Sequence, residues 1–293
     1  MRVFITGATG FIGTAVIPEL INAGHKVIGL SRSDEGAKSL VATGAQVHRG
    51  DLEDLESLRS GAAMSDGVIH LAFNHDFSKY MENCQADRRA IEALGSVLIG
   101  SDRPLVVTSG TGMVMTPGRA ATEDDPAIPS SMMPRSASEE ATLELAARGV
   151  RASVMRLPQV HDRLKAGLIT PMVEIAREKG VSAYVGDGAN RWPAAHVIDT
   201  ARLYRLALEK GTAGARFHAV GEEGVPLRDI AEAIGRRINV PVVSKTQDEV
   251  AEHFGWLAFL VGRDVPASST LTQERLGWRP TQTGLIADLE RPA

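Results

Sequence analysis

Apolar residues fall along this chain in two rhythms. Short β-branched runs at Arg2–Thr6, Lys26–Leu30, Ala45–His48, Gly67–Ala72 and Pro104–Thr108 read as buried strands. Between them, helical spacing runs over Phe11–Ala23, roughly Glu35–Ala42, and the long stretch around Asp76–Ile99. Strands alternating with helices predict an α/β architecture, a doubly wound parallel sheet covered on both faces and joined by right-handed crossovers. Ligands of such sheets lie at the carboxyl ends of the strands, near the reversal of strand order, so the residues just after each strand carry the chemistry.

The rhythm changes in the second half. Leu164–Lys179 reads as a helix, Ser182–Val185 as a short strand, Gly186–Pro193 as a loop, and Pro226–Arg237 as a helix with Pro at its start. Gln247–Val261 carries a helical stripe of Val250, Phe254, Leu257 and Val261, while Trp256, Phe259 and Leu260 lie off it. A segment apolar on nearly all sides needs a cover: the core of its own lobe by default, an apolar substrate, or a second subunit. Residues 1–160 are therefore expected to form the sheet core, and residues 161–293 to complete it and build a smaller C-terminal lobe.

Composition narrows the field. With 293 residues, 43% of them hydrophobic and 23% charged, the chain is an ordinary globular sequence able to bury a large core. A net charge of −4 gives no reason to expect nucleic acid or an anionic membrane as partner. The single cysteine, Cys84, allows no internal disulfide and no Cys-rich metal site. No zinc-type spacing occurs, so no metal is expected. Arg2 already lies in the first strand with no leader before it, and the longest apolar run, Phe254–Val261, is too short to span a membrane. The expectation is a cytoplasmic monomer or homodimer acting on a small molecule.

The candidate chemistry begins at the first strand–helix junction, where Gly7, Gly10 and Gly13 are spaced by three. A strand feeding a helix through a glycine turn gathers free N–H groups and the positive end of a helix dipole, where a pyrophosphate can rest. Gly7 makes the turn, Gly10 admits the phosphates and Gly13 lets helix and strand pack. Thr9, Phe11 and Ile12 fill out this candidate dinucleotide site. After the second strand, Ser31–Arg32–Ser33 offers a guanidinium between two hydroxyls and no carboxylate, which suits a 2′-phosphate and hence NADP(H) over NAD(H), although Asp34 stands close by.

With the leading Thr6, this turn resembles the TGxxGxxG fingerprint of short-chain dehydrogenases/reductases, and further segments extend the resemblance to the extended type, the NAD-dependent epimerase/dehydratase-like family. Arg156–Leu157–Pro158, His196–Val197–Ile198–Asp199 and Leu276–Gly277–Trp278–Arg279–Pro280 are similar to three of its signatures. The resemblance implies a Rossmann-type domain over residues 1–160, with the substrate lobe after it. It implies cofactor contacts at Asp51–Leu52, Leu71–Ala72–Phe73, Thr108 and Leu157–Pro158; Asp51 either meets adenine or caps the helix that begins near Glu53. Asn74 and His75 would stand at the pocket mouth, His75 as a titrating group or a turn cap. Asn190, Arg191 and Trp192 would contact substrate, with Trp192 alternatively anchoring its loop.

The catalytic pattern of that family departs here. Its Tyr and the Lys four residues on are absent, because Tyr80, Tyr184 and Tyr204 are followed at that distance by Cys84, Gly188 and Leu208. Alignment puts Arg135 at the Tyr position, Glu139 at the Lys position and Gln85 near a structural Asn. The usual Ser or Thr falls near Gly110, with Ser109 and Thr111 beside it. Arg135 and Glu139 suggest either an i,i+4 ion pair or an anion-binding arginine. A proton would come from His161, the first choice just beyond Pro158, or from His75, Ser109, Thr111 or water. These departures resemble atypical short-chain dehydrogenases/reductases. The implied activity is NADP(H)-dependent hydride transfer with a small carbonyl or alcohol; a non-catalytic NADP(H) sensor and an epimerase or dehydratase with retained cofactor stand as alternatives.

Overall fold

The computed structural model describes residues 1–291. Its strands are β1 Arg2–Thr6, β2 Lys26–Ser31, β3 Gln46–Arg49, β4 Gly67–His70, β5 Pro104–Gly110, β6 Arg151–Leu157, β7 Gln159–His161, β8 Ser182–Val185, β9 Arg191–His196, β10 Arg216–His218, β11 Glu222–Pro226 and β12 Val242–Lys245. Its helices are α1 Phe11–Asn22, α2 Asp34–Ala42, α3 Leu55–Ala63, α4 Tyr80–Ser96, α5 Ala137–Ala147, α6 Ile169–Lys179, α7 Val197–Lys210, α8 Leu227–Ile238, α9 Val250–Phe254, α10 Ala258–Val261, α11 Thr270–Leu276 and α12 Leu285–Glu290. Among the described residues no helix is long and apolar enough to cross a membrane.

Seven parallel strands form the central sheet in the order β10-β6-β5-β4-β1-β2-β3. The order reverses between β1 and β4, which opens a crevice at their carboxyl ends. Strand alternation sends the side chains of β1 to opposite faces. Val3 and Ile5 join a core with Val16, Ile17 and Leu20 of α1 and Leu203 and Ala207 of α7. Phe4 joins the opposite core with Leu58 of α3, Ile91 and Leu94 of α4 and Leu145 of α5. Both faces are thus covered by helices, as a parallel sheet requires.

After β6, Pro158 has no N–H to continue the pairing, and the chain steps into β7, which pairs with β9. The sheet β11-β9-β7 and the pair β12-β8 carry a second core that includes Ile169, Trp192, Ile230 and Leu285. Residues from the second half also complete the central sheet, since β10 pairs with β6 and α7 packs on α1.

Several elements differ from the sequence reading. β4 stops at His70, because Leu71 N–H bonds Thr6 O and Ala72 N–H bonds Thr6 Oγ1 as the chain crosses over the glycine turn. α6 starts at Ile169 rather than Leu164, since the Asp162 carboxylate accepts from the Leu164 and Lys165 N–H groups and holds a turn there. Arg191, Trp192 and Pro193 are not loop but the start of β9. The 247–261 segment is broken at Gly255 (φ +54°) into α9 and α10, yet Val250, Phe254, Leu257 and Val261 are all buried in the lobe.

Candidate active site

The glycine turn shows why each glycine is needed. Gly7 has φ +67°, and a Cβ there would lie 2.7 Å from the Ala72 backbone nitrogen. A Cβ on Gly13 would lie 2.3 Å from Gly7 O, so helix and strand could not approach as they do. On Gly10 a Cβ would meet only Gly7 O within 4 Å, leaving the side above it clear. No side chain caps α1 at Gly10, so the first-turn N–H groups are free to face an anion. This cradle fits a dinucleotide pyrophosphate.

At the end of β2, Ser31 Oγ donates to Ser33 O, and Ser33 caps α2 by accepting from Gly36 N–H at 3.1 Å. Thr9 packs against the same end of α2, beside Gly36. The Arg32 side chain is 83% exposed, with Nη1 3.9 Å from Asp51. Asp34 is held by Arg49, which also donates to Ser33 O. Asp51 does not cap a helix: α3 starts later, at Leu55, capped by Asp54, and Asp51 Oδ1 instead accepts from Glu53 N–H in a turn. Leu52 packs on the core beneath.

A cavity of about 550 Å³ leads away from the glycine turn. One wall is Phe11, Ile12, Leu71 and Phe73; the ends of β5 and β6 supply Thr108 to Thr111, Leu157 and Pro158. The far wall comes from the C-terminal lobe, with Trp256, Phe259, Leu260 and Arg263. Phe77 stacks on Trp256 at 4.6 Å between centroids and so joins the segment before α4 to that lobe. His75 lines the cavity edge-on to Phe73, its pKa lowered by burial and by the Arg135 charge. Asn74 does not line it, because its Oδ1 accepts from Asp76 N–H.

Arg135 enters the cavity from the short turn before α5, stacked 4.2 Å over the Phe73 ring. Its Nη1 donates to Asp87 at 2.9 Å and to Ser138, and its Nη2 to Thr108 O at 3.1 Å. Asp87 also accepts from His70 Nε2 at 3.0 Å, and His70 Nδ1 lies 2.7 Å from the Thr6 hydroxyl. Burial alone would raise the Asp87 pKa, but the charge of Arg135 and the bonds from His70 and Ser138 outweigh it and hold the acid at about 2. Gln85 is exposed, and it is Asp87, also on α4, that is buried beside Arg135.

The expected Arg135–Glu139 pair is not formed. Arg135 precedes the helix in a 3-10 turn, whereas Glu139 in the first turn of α5 faces β6 and β10. There it accepts from Arg156 Nε and Nη2 at 2.9 and 2.6 Å and from Arg216 Nε at 2.7 Å, in full burial.

His161 lies outside the cavity. On β7 both Gln159 and Val160 border the cavity, whereas His161, at the end of the strand, turns toward α12. There Nδ1 donates to Asp288 at 2.9 Å, with the ring edge-on to His196 and 1% exposed. Thr108 is occupied by His70 O and Tyr204 OH, both at 2.7 Å. Thr111 donates to Leu157 O, while Ser109 Oγ is buried without a hydrogen-bond partner among the described residues.

Asn190, Arg191 and Trp192, read as substrate contacts, grip residues 261–264 instead. Asn190 donates to Val261 O and Arg263 O, Arg191 forms a bidentate pair with Asp264, and Trp192 Nε1 donates to Arg263 O at 3.2 Å. Of the three, Trp192 also borders the cavity.

Tyr80 and Arg263 line the cavity unforeseen. Burial pushes the Tyr80 phenol up to about 12 and the neighbouring Cys84 thiol to about 11. Cys84, not Lys, follows Tyr80 four residues on, so no Tyr–Lys pattern marks it in the sequence. Trp256, Phe259 and Leu260, expected by default to be covered by the core of their own lobe, border the cavity, and nothing local marked Arg263.

A model of the NAD dependent epimerase/dehydratase family matches residues 3–220. The chain belongs to that family. Among relatives, a Schizosaccharomyces pombe protein named "Uncharacterized protein C2A9.02" is 49% identical, covering 100% of this chain and 99% of that one. The Saccharomyces cerevisiae "Uncharacterized protein YLL056C" is 46% identical over 99% of this chain and 98% of its own. The solved structure of DesIV, a dTDP-glucose 4,6-dehydratase from Streptomyces venezuelae with NAD and TYD bound, shares the fold. It aligns with a TM-score of 0.78 at 18% identity, over 99% of this chain and 95% of its own. Epimerase/dehydratase-family chemistry uses a nicotinamide dinucleotide, and the open face of Gly10 is the cradle this chain offers for one.

Proposed function

We propose that this family member is an NADP(H)-dependent oxidoreductase of the atypical short-chain type, acting on a small organic carbonyl or alcohol without a Tyr–Lys pair. One observation carries the reading: a single cavity runs from Phe11 and Ile12 of the glycine turn to the Arg135 guanidinium. NADP(H) is favoured by Arg32, which stands at the adenosine end while the neighbouring Asp34 is taken by Arg49.

The pyrophosphate would rest on the α1 amides, with Arg32 and Ser33 at the 2′-phosphate and Leu157 and Pro158 beside the nicotinamide. When bound, a nicotinamide supplies or accepts a hydride. Arg135 is a guanidinium cation, a hydrogen-bond donor rather than a proton source. Held by Asp87 and Phe73, it donates hydrogen bonds to the substrate oxygen and stabilises the negative charge that develops there. Tyr80 keeps its proton at neutral pH, since burial outweighs the charges of Arg135 and Arg263, and it lines the same cavity as both; we assign it as the proton donor. Aromatic walls exclude water around these groups.

A sensor that binds NADP(H) without turnover is the second reading, favoured because Arg135 and Glu139 stand where the family's Tyr and Lys would align and neither moves a proton. Titrating the protein with NADPH and NADH, then following reduced-nicotinamide absorbance across aldehydes and ketones, separates them. Tight binding with no turnover supports the sensor; substrate conversion without net cofactor change supports an epimerase. Arg32→Glu is expected to weaken NADPH by about ten-fold, from charge-assisted hydrogen bonds of ~1.5 kcal/mol or more, and to spare NADH. Equal weakening of both refutes the cofactor assignment.

A further inference from the structure

Two guanidinium groups face the cavity, and they are not equivalent. Arg135 has Asp87 as counter-ion at 2.9 Å. Arg263 has no carboxylate within 4 Å among the described residues, and the one hydrogen bond its side chain makes is from Nη2 to Gly112 O at 3.3 Å. Most of the donors in its planar fork are therefore unused, in a cavity whose wall includes Trp256, Phe259, Leu260 and Phe77. Half-burial lowers its pKa, and the nearby Tyr80 hydroxyl offsets only part of that cost.

The backbone beneath Arg263 is held with unusual thoroughness. Three consecutive residues, Asn190, Arg191 and Trp192, bond to Val261 O, Arg263 O and the Asp264 carboxylate. β9 and the 261–264 segment are thereby locked together where Arg263 projects into the cavity.

We propose that Arg263 binds the carboxylate of an acidic substrate with an apolar or aromatic body, and that Asn190, Arg191 and Trp192 are its positioning residues. The inference rests on reading the cavity as the substrate site. A planar monoanion matches one free guanidinium fork; a phosphate dianion would need further cationic donors, and the other guanidinium on the wall, Arg135, is already paired with Asp87. The apolar body would lie against Trp256 and Phe259, which places the reactive oxygen toward Arg135 and Tyr80.

The test uses the full-length protein, with and without NADP+, and calorimetry of two matched probes, 3-phenylpropanoate and 3-phenylpropanamide. The carboxylate is expected to bind at least about ten-fold more tightly than the amide. Arg263→Gln should bring the two within about two-fold while leaving amide and nucleotide affinities in place, and Arg263→Lys should keep part of the preference. Asn190→Ala should reduce the carboxylate-to-amide ratio without moving amide affinity, a change that mere loosening of the lobe would not produce. Equal affinities in the unaltered protein, no detectable carboxylate binding, or a preference that survives Arg263→Gln but is lost in Arg135→Gln overturns the proposal. Failure of the cofactor reading is seen separately, as absence of nucleotide binding, and leaves the probe ratio measurable in nucleotide-free protein.

Discussion

Replacing Glu139 by Gln tests what became of the position aligned with the family's lysine. The carboxylate accepts three guanidinium N–H bonds at 2.6–2.9 Å, while Arg156 is 0% and Glu139 1% exposed. Gln keeps the shape and one acceptor oxygen but removes the charge, leaving Arg156 buried beside Arg216 with no counter-ion. Breaking a buried pair in this way costs about 3–5 kcal/mol, and the retained amide oxygen argues for the lower end. That is a large fraction of the 5–15 kcal/mol that holds a typical domain together. Differential scanning calorimetry should show the unfolding midpoint falling by roughly 5–10 °C. Substituting Met at both Glu139 and Arg156 should lose less than the single change, because no unpaired charge remains. Nucleotide affinity measured well below the midpoint should be unchanged, since Glu139 does not line the cavity. A loss below about 1 kcal/mol, or a collapse of turnover with stability intact, would refute this account and return Glu139 to the reaction.

Stability should also depend on pH through His218, which burial and then the charge of Arg156 lower to about 4. The unfolded chain takes up its proton first as pH falls below ~6.5, so stability is full above that value and declines by up to ~1.4 kcal/mol per unit toward pH ~4. His75, His161 and His253 are lowered too and add with the same sign. Urea midpoints at about pH 7.5 and 5 measure this, and a flat profile contradicts it. His161→Ala should lower stability, through loss of the Asp288 bond, and leave any turnover per folded molecule as it was; a selective loss of rate would put His161 back in the site. Tyr80→Phe should cut a reductase rate by about 10²-fold or more with little change in nucleotide affinity, and an unchanged rate removes Tyr80 as proton donor.

What could be read from the chain alone was whatever local rules decide. Gly7, Gly10 and Gly13 need no distant partner to declare a strand–turn–helix junction, because backbone sterics and helix dipoles act within a few residues. The alternation of β-branched runs with helical stripes likewise carried the doubly wound sheet, whereas Trp256, Phe259 and Leu260, off a buried stripe, left lobe core, substrate or a second subunit open as their cover. Direction and partnership were another matter. His161 and Val160 are adjacent, and only the docking of α12 and the cavity shows which faces which. Glu139 and Arg135 have helical spacing, yet a 3-10 turn separates them and Arg156, Arg216 and Asp87 claim them instead. Asn190, Arg191 and Trp192 carry recognition-type side chains, but contacts more than 60 residues away in the chain turn them into a clamp on Arg263. Hydrophobic period and glycine sterics are properties of neighbours in sequence, whereas ion pairing and the facing of a polar side chain are settled by which charges the folded chain brings within a few ångströms.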